Sequence, residues 1–254
     1  MFQLKEYEQA IEEVGEFLKL DTNNYNYYKI IAFCNLELKK PVEAQQYMNK
    51  FWQKVPKDKV VAFDYIYAGK ISKANDDTAN AVKYMRTATQ LDSNNADVLS
   101  EFAILLFTTK RYSEGVAALN KRINMATPPT NIDYYYLGRC HYAMEQWTLA
   151  DSAFADLVRI QPEWADGHLW RAKSNFQQEG DKIQGLAFDY YQKYIELASV
   201  NPERNKSNLL IAYYYIGIVY MTRNDKENAK ASFMKMLEID PENKEAKAEL
   251  SKMK

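Results

Sequence analysis

YYYLGRCHYAMEQWTLADSAFADLVRIQP (134–162) and YYYIGIVYMTRNDKENAKASFMKMLEIDP (213–241) align residue for residue without a gap. Both open on aromatics, reach a glycine (Gly138, Gly217), place an alanine twelve residues later (Ala150, Ala229), add an aromatic (Phe154, Phe233) and close on proline (Pro162, Pro241). Two such copies in one chain are the signature of a repeat architecture with a period of 20–50 residues. Moving outward in the same register, the later small residue recurs as Ala10, Ala44, Ala81, Gly115, Ala150, Ala187 and Ala229. The earlier one recurs as Ala32, Gly69, Ala103, Gly138, Ala172 and Gly217, with Ala172 displaced by three residues relative to Ala187.

In a 34-residue frame with the small residues at positions 8 and 20, position 4 is Tyr28, Tyr65, Leu99, Tyr134, His168 and Tyr213. Position 24 is Val14, Met48, Met85, Leu119, Phe154, Tyr191 and Phe233. Position 32 is Thr22, Pro56, Ser93, Thr127, Pro162 and Pro241, with Pro202 slightly displaced. Spacings of three and four within each half predict two amphipathic helices per unit, joined by a polar turn and followed by a break. Small residues where two helices cross let the backbones approach, and a neighbour's large side chain fills the remaining space. One helix pair cannot bury its apolar face alone, so neighbouring pairs must stack.

This pattern resembles the tetratricopeptide repeat (TPR) family, and the likeness extends over essentially the whole chain. The resemblance implies an all-α, right-handed α-α superhelix of about six full helix pairs, with an N-terminal half repeat and a C-terminal capping helix. The expected divisions are 1–24 (half repeat), 25–58, 62–95, 96–129, 131–164, 165–209 (irregular, with an insertion), 210–243 and 244–254 (cap). Position 27 departs from the family's small residue in Phe17, Phe51, Arg122, Leu157, Tyr194 and Met236, and only Ala88 conforms, which predicts looser or tilted packing there. The stretch QQEGDKIQG (177–185) enlarges one inter-helix turn, and SVNPERNKSN (199–208) is expected to be a polar exit forming an irregular joint. In NKEAKAELSKMK, Ala246, Leu250 and Met253 share one helical face, as a capping helix requires.

At the other end the frame puts Met1 at position 11, inside a first helix whose remainder is missing. Further repeats upstream are therefore expected, together with self-association through an uncovered strip of Ala10, Val14 and Phe17.

The chain has 254 residues, 33 basic against 34 acidic side chains, and 47% hydrophobic residues. That near-neutral balance gives little support to nonspecific nucleic-acid or anionic-membrane binding. The longest apolar run, Leu209 to Met221, is too short to cross a bilayer, so no membrane insertion is expected. Cys34 and Cys140 fall at equivalent places of separate repeats and are expected to be free thiols. The compartment is left open between the cytoplasm and, after removal of an export signal, a bacterial periplasm or envelope. Larger bacterial TPR proteins are the arrays this chain resembles.

In the family, first-helix positions 2, 5, 9, 12 and 13 line the concave groove. By that resemblance the partner-binding groove carries Lys29, Phe33, Ile66, Lys70, Lys73, Ile104, Phe107, Tyr135, Arg139, Tyr142, Leu169, Lys173, Phe176, Tyr214 and Ile218, with Leu36 and Met221 beside them. Aromatic anchors mixed with Lys and Arg suit a peptide or helix of some acidic character. The family's clamp for a C-terminal carboxylate is absent: Lys29 fits its first place, but Phe33, Tyr67 and Asp97 occupy the next three.

The expected role is a non-enzymatic protein-interaction scaffold. The alternative is an RNA-binding helical repeat, which needs a positive groove and a regular polar pair per unit. Position 5 runs Lys29, Ile66, Ser100, Tyr135, Leu169 and Tyr214, which is no code. His141 and His168 are read as hydrogen-bonded core histidines and not as zinc ligands. The charge runs KEYEQAIEE and NDKENAK read as solvated second-helix faces. No Gly-rich phosphate loop, GxSxG turn or HExxH is present, so no catalytic, cofactor-binding or metal-binding residues are expected.

Overall fold

The computed structural model describes residues 2–253, with side chains from Glu6 onward. Among the described residues are fourteen α-helices, one short 3-10 turn (Lys57–Lys59) and no strand. The helices fall into two compact units, residues 1–127 and 128–254. The first holds α1 (Phe2–Leu20), α2 (Tyr25–Glu37), α3 (Pro41–Lys54), α4 (Ala62–Ala74), α5 (Thr78–Leu91), α6 (Ala96–Thr108) and α7 (Tyr112–Ile123). The second holds α8 (Asn131–Ala143), α9 (Trp147–Ile160), α10 (Ala165–Glu179), α11 (Phe188–Ala198), α12 (Pro202–Thr222), α13 (Lys226–Ile239) and α14 (Lys244–Lys252). Within each unit, consecutive helices pack as pairs (α2 on α3, α4 on α5, α6 on α7; α8 on α9, α10 on α11, α12 on α13), and each pair stacks on the next.

The frame's small residues sit where the paired helices touch. Ala32, Ala103 and Ala172 at position 8, and Ala44, Ala81, Ala150 and Ala229 at position 20, are fully buried. The glycines are tighter still. A Cβ on Gly138 would lie 2.6 Å from the Phe154 ring, one on Gly217 2.6 Å from Phe233, and one on Gly69 2.7 Å from Met85 Cγ. Position 24 therefore packs into the space that position 8 leaves empty, which is the physical content of that pairing. The bulky position-27 residues Phe51, Leu157, Tyr194 and Met236 are accommodated in the same cores, each at most 1% exposed.

Five turns between paired helices share one geometry. Lys39, Asp76, Lys110, Glu145 and Asn224, all at position 15, adopt φ near +60°. The next residue's N–H reaches back to the preceding helix, as in Lys40 N to Asn35 O (2.8 Å) and Asp225 N to Tyr220 O (2.9 Å). This is the Schellman closure, usually entrusted to glycine. The sixth pair breaks the pattern. There position 15 is Glu179, still helical and buried, and its carboxylate accepts from the backbone N–H of Gln184 (2.7 Å), Leu186 (2.7 Å) and Ala187 (3.3 Å) and from the Tyr215 hydroxyl. One side chain thus closes the enlarged turn that the other pairs close with backbone.

Several expectations are corrected. α1 runs without a break from Phe2 to Leu20, inside the span 1–24 expected for the second helix of a half repeat, while Met1 lies outside the described residues. Residues 202–208 of the expected polar exit form the first two turns of α12, begun by the Asn201 cap and Pro202 in the first turn. The joint beside them is a packed core including Tyr191, Tyr194, Leu209 and Tyr215. Ala187 is buried but precedes α11 as its N-cap, because the insertion delays that helix. His141 and His168 do bond Gln146 and the Pro162 carbonyl, but both are only half-buried and so are not core residues. Cys34 and Cys140 are buried free thiols, and burial raises the Cys140 pKa to about 11. Ala246 is buried on α14, with Leu250 and Met253 packed beside it.

Candidate partner-binding faces

The first helix of each pair touches the first helix of the next, α2 with α4 and α8 with α10. This brings position 9 of one repeat against position 6 of the following one. The two units fill that contact differently.

In the first unit Phe33 (position 9) stacks on Tyr67 (position 6) with centroids 3.8 Å apart, and Phe63 joins them edge-on, 5.5 Å from Phe33. Phe63 is 53% exposed, so this aromatic group reaches the surface. One repeat on, Lys70 (position 9) meets Glu101 (position 6) at 2.9 Å. Lys70, Lys73 and Ile104 line one cleft of about 300 Å³, floored by Gly69 and Met85. Phe107 is half-buried near Tyr112, 5.8 Å between centroids. Lys29 serves another purpose: its ammonium lies 3.0 Å from the fully buried Asp64 carboxylate. Asp64 also accepts from the Val61 N–H at the start of α4, so this pair belongs to the scaffold.

In the second unit Arg139 (position 9) meets Trp170 (position 6), the guanidinium carbon 4.1 Å from the ring centroid. Arg139 Nη1 also donates to the Tyr135 hydroxyl at 2.7 Å. Lys173 Nζ lies 4.8 Å from the same indole and donates to Asn208 Oδ1 at 3.1 Å. Tyr142 approaches the ring edge-on at 5.0 Å. Burial lowers the Lys173 pKa, the Arg139 charge lowers it further, and Asp166 partly opposes both. Phe176 is 36% exposed and edge-on to Tyr215, 5.6 Å away. Tyr214 and Ile218, with Met221, pack half-buried against the Phe233 and Met236 core.

Ten of the fifteen groove residues proposed from sequence thus fall into three groups: surface aromatics, a lysine-lined cleft and a cation–indole cluster, with Lys29 a scaffold ion pair and Tyr214 and Ile218 flanking the last core. Ile66 (9% exposed) and Leu169 (3%) are core residues, because position 5 here points between the helices. Sequence reasoning missed Tyr67, Phe63 and Trp170. Tyr67 and Trp170 hold position 6, outside the groove positions 2, 5, 9, 12 and 13, whereas Phe63 holds position 2, inside them; an aromatic one repeat after a position-9 Phe or Arg was visible. Among the described residues no group of three or more His, Cys, Asp or Glu could hold a metal ion, and no helix is long and apolar enough to cross a membrane.

The tetratricopeptide repeat sequence pattern matches residues 134–163 and again 210–243. No curated protein sequence matches the chain. Among solved structures, the C-terminal part of a TPR repeat-containing protein from Cytophaga hutchinsonii is similar at 29% identity over 97% of this chain and 96% of that one, with a TM-score of 0.83. YrrB, described as a TPR protein with an unusual peptide-binding site, is similar at 18% identity over 75% and 92% of the two chains, TM-score 0.58. PilF of Pseudomonas aeruginosa is similar at 17% identity over 90% and 97%, TM-score 0.58, and these two share the fold alone. TPR arrays mediate protein–protein interaction, and this chain is an interaction scaffold in that general sense. The in-register repeats, the Gly-against-aromatic helix contacts, the two pattern matches and the similarity to the Cytophaga protein together make it a tetratricopeptide repeat protein.

Proposed function

We propose that the first-helix faces of each unit bind a peptide or helix of a protein partner, and that the chain works as a non-enzymatic adaptor. The observation that carries this reading is the set of aromatic side chains only partly covered beside the helix-pair cores: Phe33, Phe63 and Tyr67 in one unit, Tyr135, Tyr142 and Trp170 in the other. Such residues are unusually effective interface anchors. Held by rigid helices, they lose little conformational freedom on binding. The peptide-binding site described for YrrB, a protein of this fold, supports the same use here.

Affinity capture from lysate of the source cells, compared between wild type and a Phe107→Ala, Tyr142→Ala, Lys173→Ala variant with an unchanged helical spectrum, tests it. The expected result is loss of the captured protein. Unchanged capture would move the binding surface elsewhere, for example to the insertion around Gly180 to Gly185. Submicromolar, steeply salt-dependent binding of single-stranded RNA would replace the peptide reading.

A separate observation favours a second contact, between copies of this chain. Phe17 and Leu20 on α1 are 54% and 86% exposed. They lie near a cleft of about 500 Å³ lined by Ile11, Leu18, Tyr28 and Tyr47 among others. Sedimentation equilibrium should show association that a Phe17→Glu, Leu20→Glu variant abolishes. A wild-type protein that stays monomeric at high concentration refutes this contact.

A further inference from the structure

We infer that the cleft over Gly69 in the first unit takes an aromatic side chain, Trp, Phe or Tyr, of a peptide partner, an inference that rests on the peptide-binding role proposed above. The cleft, of about 300 Å³, is lined by Gly69, Lys70, Lys73 and Met85 of one repeat and by Glu101 and Ile104 of the next, among others. Its floor is apolar and its rim carries two ammonium groups against one carboxylate. Lys70 is held by Glu101 at 2.9 Å and lies 5.9 Å from the Tyr67 ring. Lys73 is exposed, and among the described residues its ammonium makes no ion pair, hydrogen bond or ring contact. An ammonium is attracted to the negative face of an aromatic ring. The Met85 thioether on the floor is a favourable neighbour for the same ring. The cleft is therefore complementary in charge, as well as in polarity, to an aromatic side chain.

The second unit supplies an internal reference, because there the chain fills the equivalent hollow itself. In the repeat frame Gly138, Arg139, Tyr142 and Phe154 replace Gly69, Lys70, Lys73 and Met85, while Trp170 and Lys173 replace Glu101 and Ile104. The Trp170 ring meets four of these counterparts: the Arg139 guanidinium at 4.1 Å, the Lys173 ammonium at 4.8 Å, Tyr142 at 5.0 Å and Phe154 at 5.9 Å. An indole held by two cations and packed on an apolar side chain is thus a native filling of this hollow. In the first unit position 6 is Glu101, which reaches Lys70 and brings no ring, so the ring has to come from outside. The rim also selects what carries that ring. The Glu101 carboxylate beside the cleft repels a phosphate chain, so an aromatic residue of a peptide suits the site better than a nucleotide base.

The test selects a phage-displayed library of random dodecapeptides on the full chain and measures the winning peptides by fluorescence anisotropy. The expected winners carry Trp, Phe or Tyr at a fixed place. Changing that residue to Ala weakens binding by about tenfold or more. Changing it to Leu, which keeps bulk without the ring, weakens binding about threefold. In the protein, Glu101→Trp fills the hollow from within, as Trp170 does, and lowers affinity by about tenfold or more. Lys73→Gln lowers it by about two- to fivefold. The peptide substitutions keep the test decisive even if Glu101→Trp folds poorly. Winners that carry no aromatic, that tolerate its replacement by Ala or Leu, or that bind a folded Glu101→Trp as tightly as wild type overturn this inference and leave the peptide-binding role standing. A library that yields no binder overturns both. An oligouridine dodecamer that displaces every winning peptide and is itself excluded by Glu101→Trp overturns the aromatic-peptide inference in favour of a nucleotide base.

Discussion

Lys70 and Arg139 stand at the same position of the repeat frame, one in each unit, and differ in what the next repeat sets against them. Lys70 meets the Glu101 carboxylate and Arg139 meets the Trp170 indole. The carboxylate closes the first charge off. The indole holds the second by a cation–ring contact, worth about 0.5–1 kcal/mol at partly exposed sites. The helix frame decides where position 9 points, but a single side chain one repeat later decides which contact the charge there makes across the repeat boundary. Phe33 on Tyr67 is the third outcome of the same contact, an apolar one.

Exchanging the two partners is the strongest way to break this comparison. Trp170→Glu removes the ring that Arg139, Lys173, Tyr142 and Phe154 all pack against and should cost about 3 kcal/mol of stability. Glu101→Trp should cost less, about 1 kcal/mol or below, because the Lys70–Glu101 pair it removes is largely exposed. Denaturant midpoints read both, and equal shifts in the two variants would disprove the comparison. Next in size is the scaffold pair. Asp64→Asn should cost about 2 kcal/mol by denaturant midpoint, less than the ~3–5 of a fully buried pair, because Lys29 can turn toward water. A shift near zero would place Lys29 among the available cations after all.

The helix contacts sharpen the contrast between units at a smaller scale. Gly138→Ala meets the rigid Phe154 ring and should cost about 1–2 kcal/mol net, overpacking minus the gain in helix propensity. Gly69→Ala meets the flexible Met85 chain and should stay within about 0.5 kcal/mol of wild type. Equal midpoints for the two would show that ring rigidity is not what limits the contact. The smallest effect belongs to Lys173→Gln, within about 0.5 kcal/mol of wild-type stability. Its sign follows from linkage. The folded state disfavours the charged lysine, so wild type carries a penalty at neutral pH that is relieved as pH rises from the lowered folded pKa toward the ordinary value. The Gln variant should therefore be marginally the more stable near neutrality, with the gap closing in alkali. A gap that widens with pH would contradict the direction of the shift.

The repeat frame was readable because it is written in volume. Alanine or glycine at positions 8 and 20 leaves a space that only position 24 can fill, and Gly138–Phe154 and Gly217–Phe233 confirm the match atom by atom. Charge and aromatic contacts between repeats were less readable, since they pair side chains about thirty residues apart and depend on which residues meet. Ile66 and Leu169 sat at nominal groove positions, yet their apolar chains are drawn between the helices. Residues 202–208 look like a loop in composition, but a cap at Asn201 and the packed face of the following residues extend the helix through them. The shared position-15 conformation gave no compositional sign either, since Lys39, Lys110 and Glu145 occupy it as well as Asp76 and Asn224.

The Glu179 closure has an engineering consequence. The carboxylate ties down Gln184, Leu186 and Ala187 and anchors to Tyr215, so the start of α11 is positioned without reference to the residues just after Gly180. Asp181 and Lys182 are exposed and lie outside those ties. Foreign sequence spliced between them therefore leaves the phase of every following helix unchanged, and each doubling of loop length adds only about 0.6 kcal/mol of closure entropy. The sixth expected unit is a ready port for an epitope, a fluorophore or a whole reporter domain, because among the described residues its turn within the helix pair is closed by the Glu179 side chain where the others are closed by backbone.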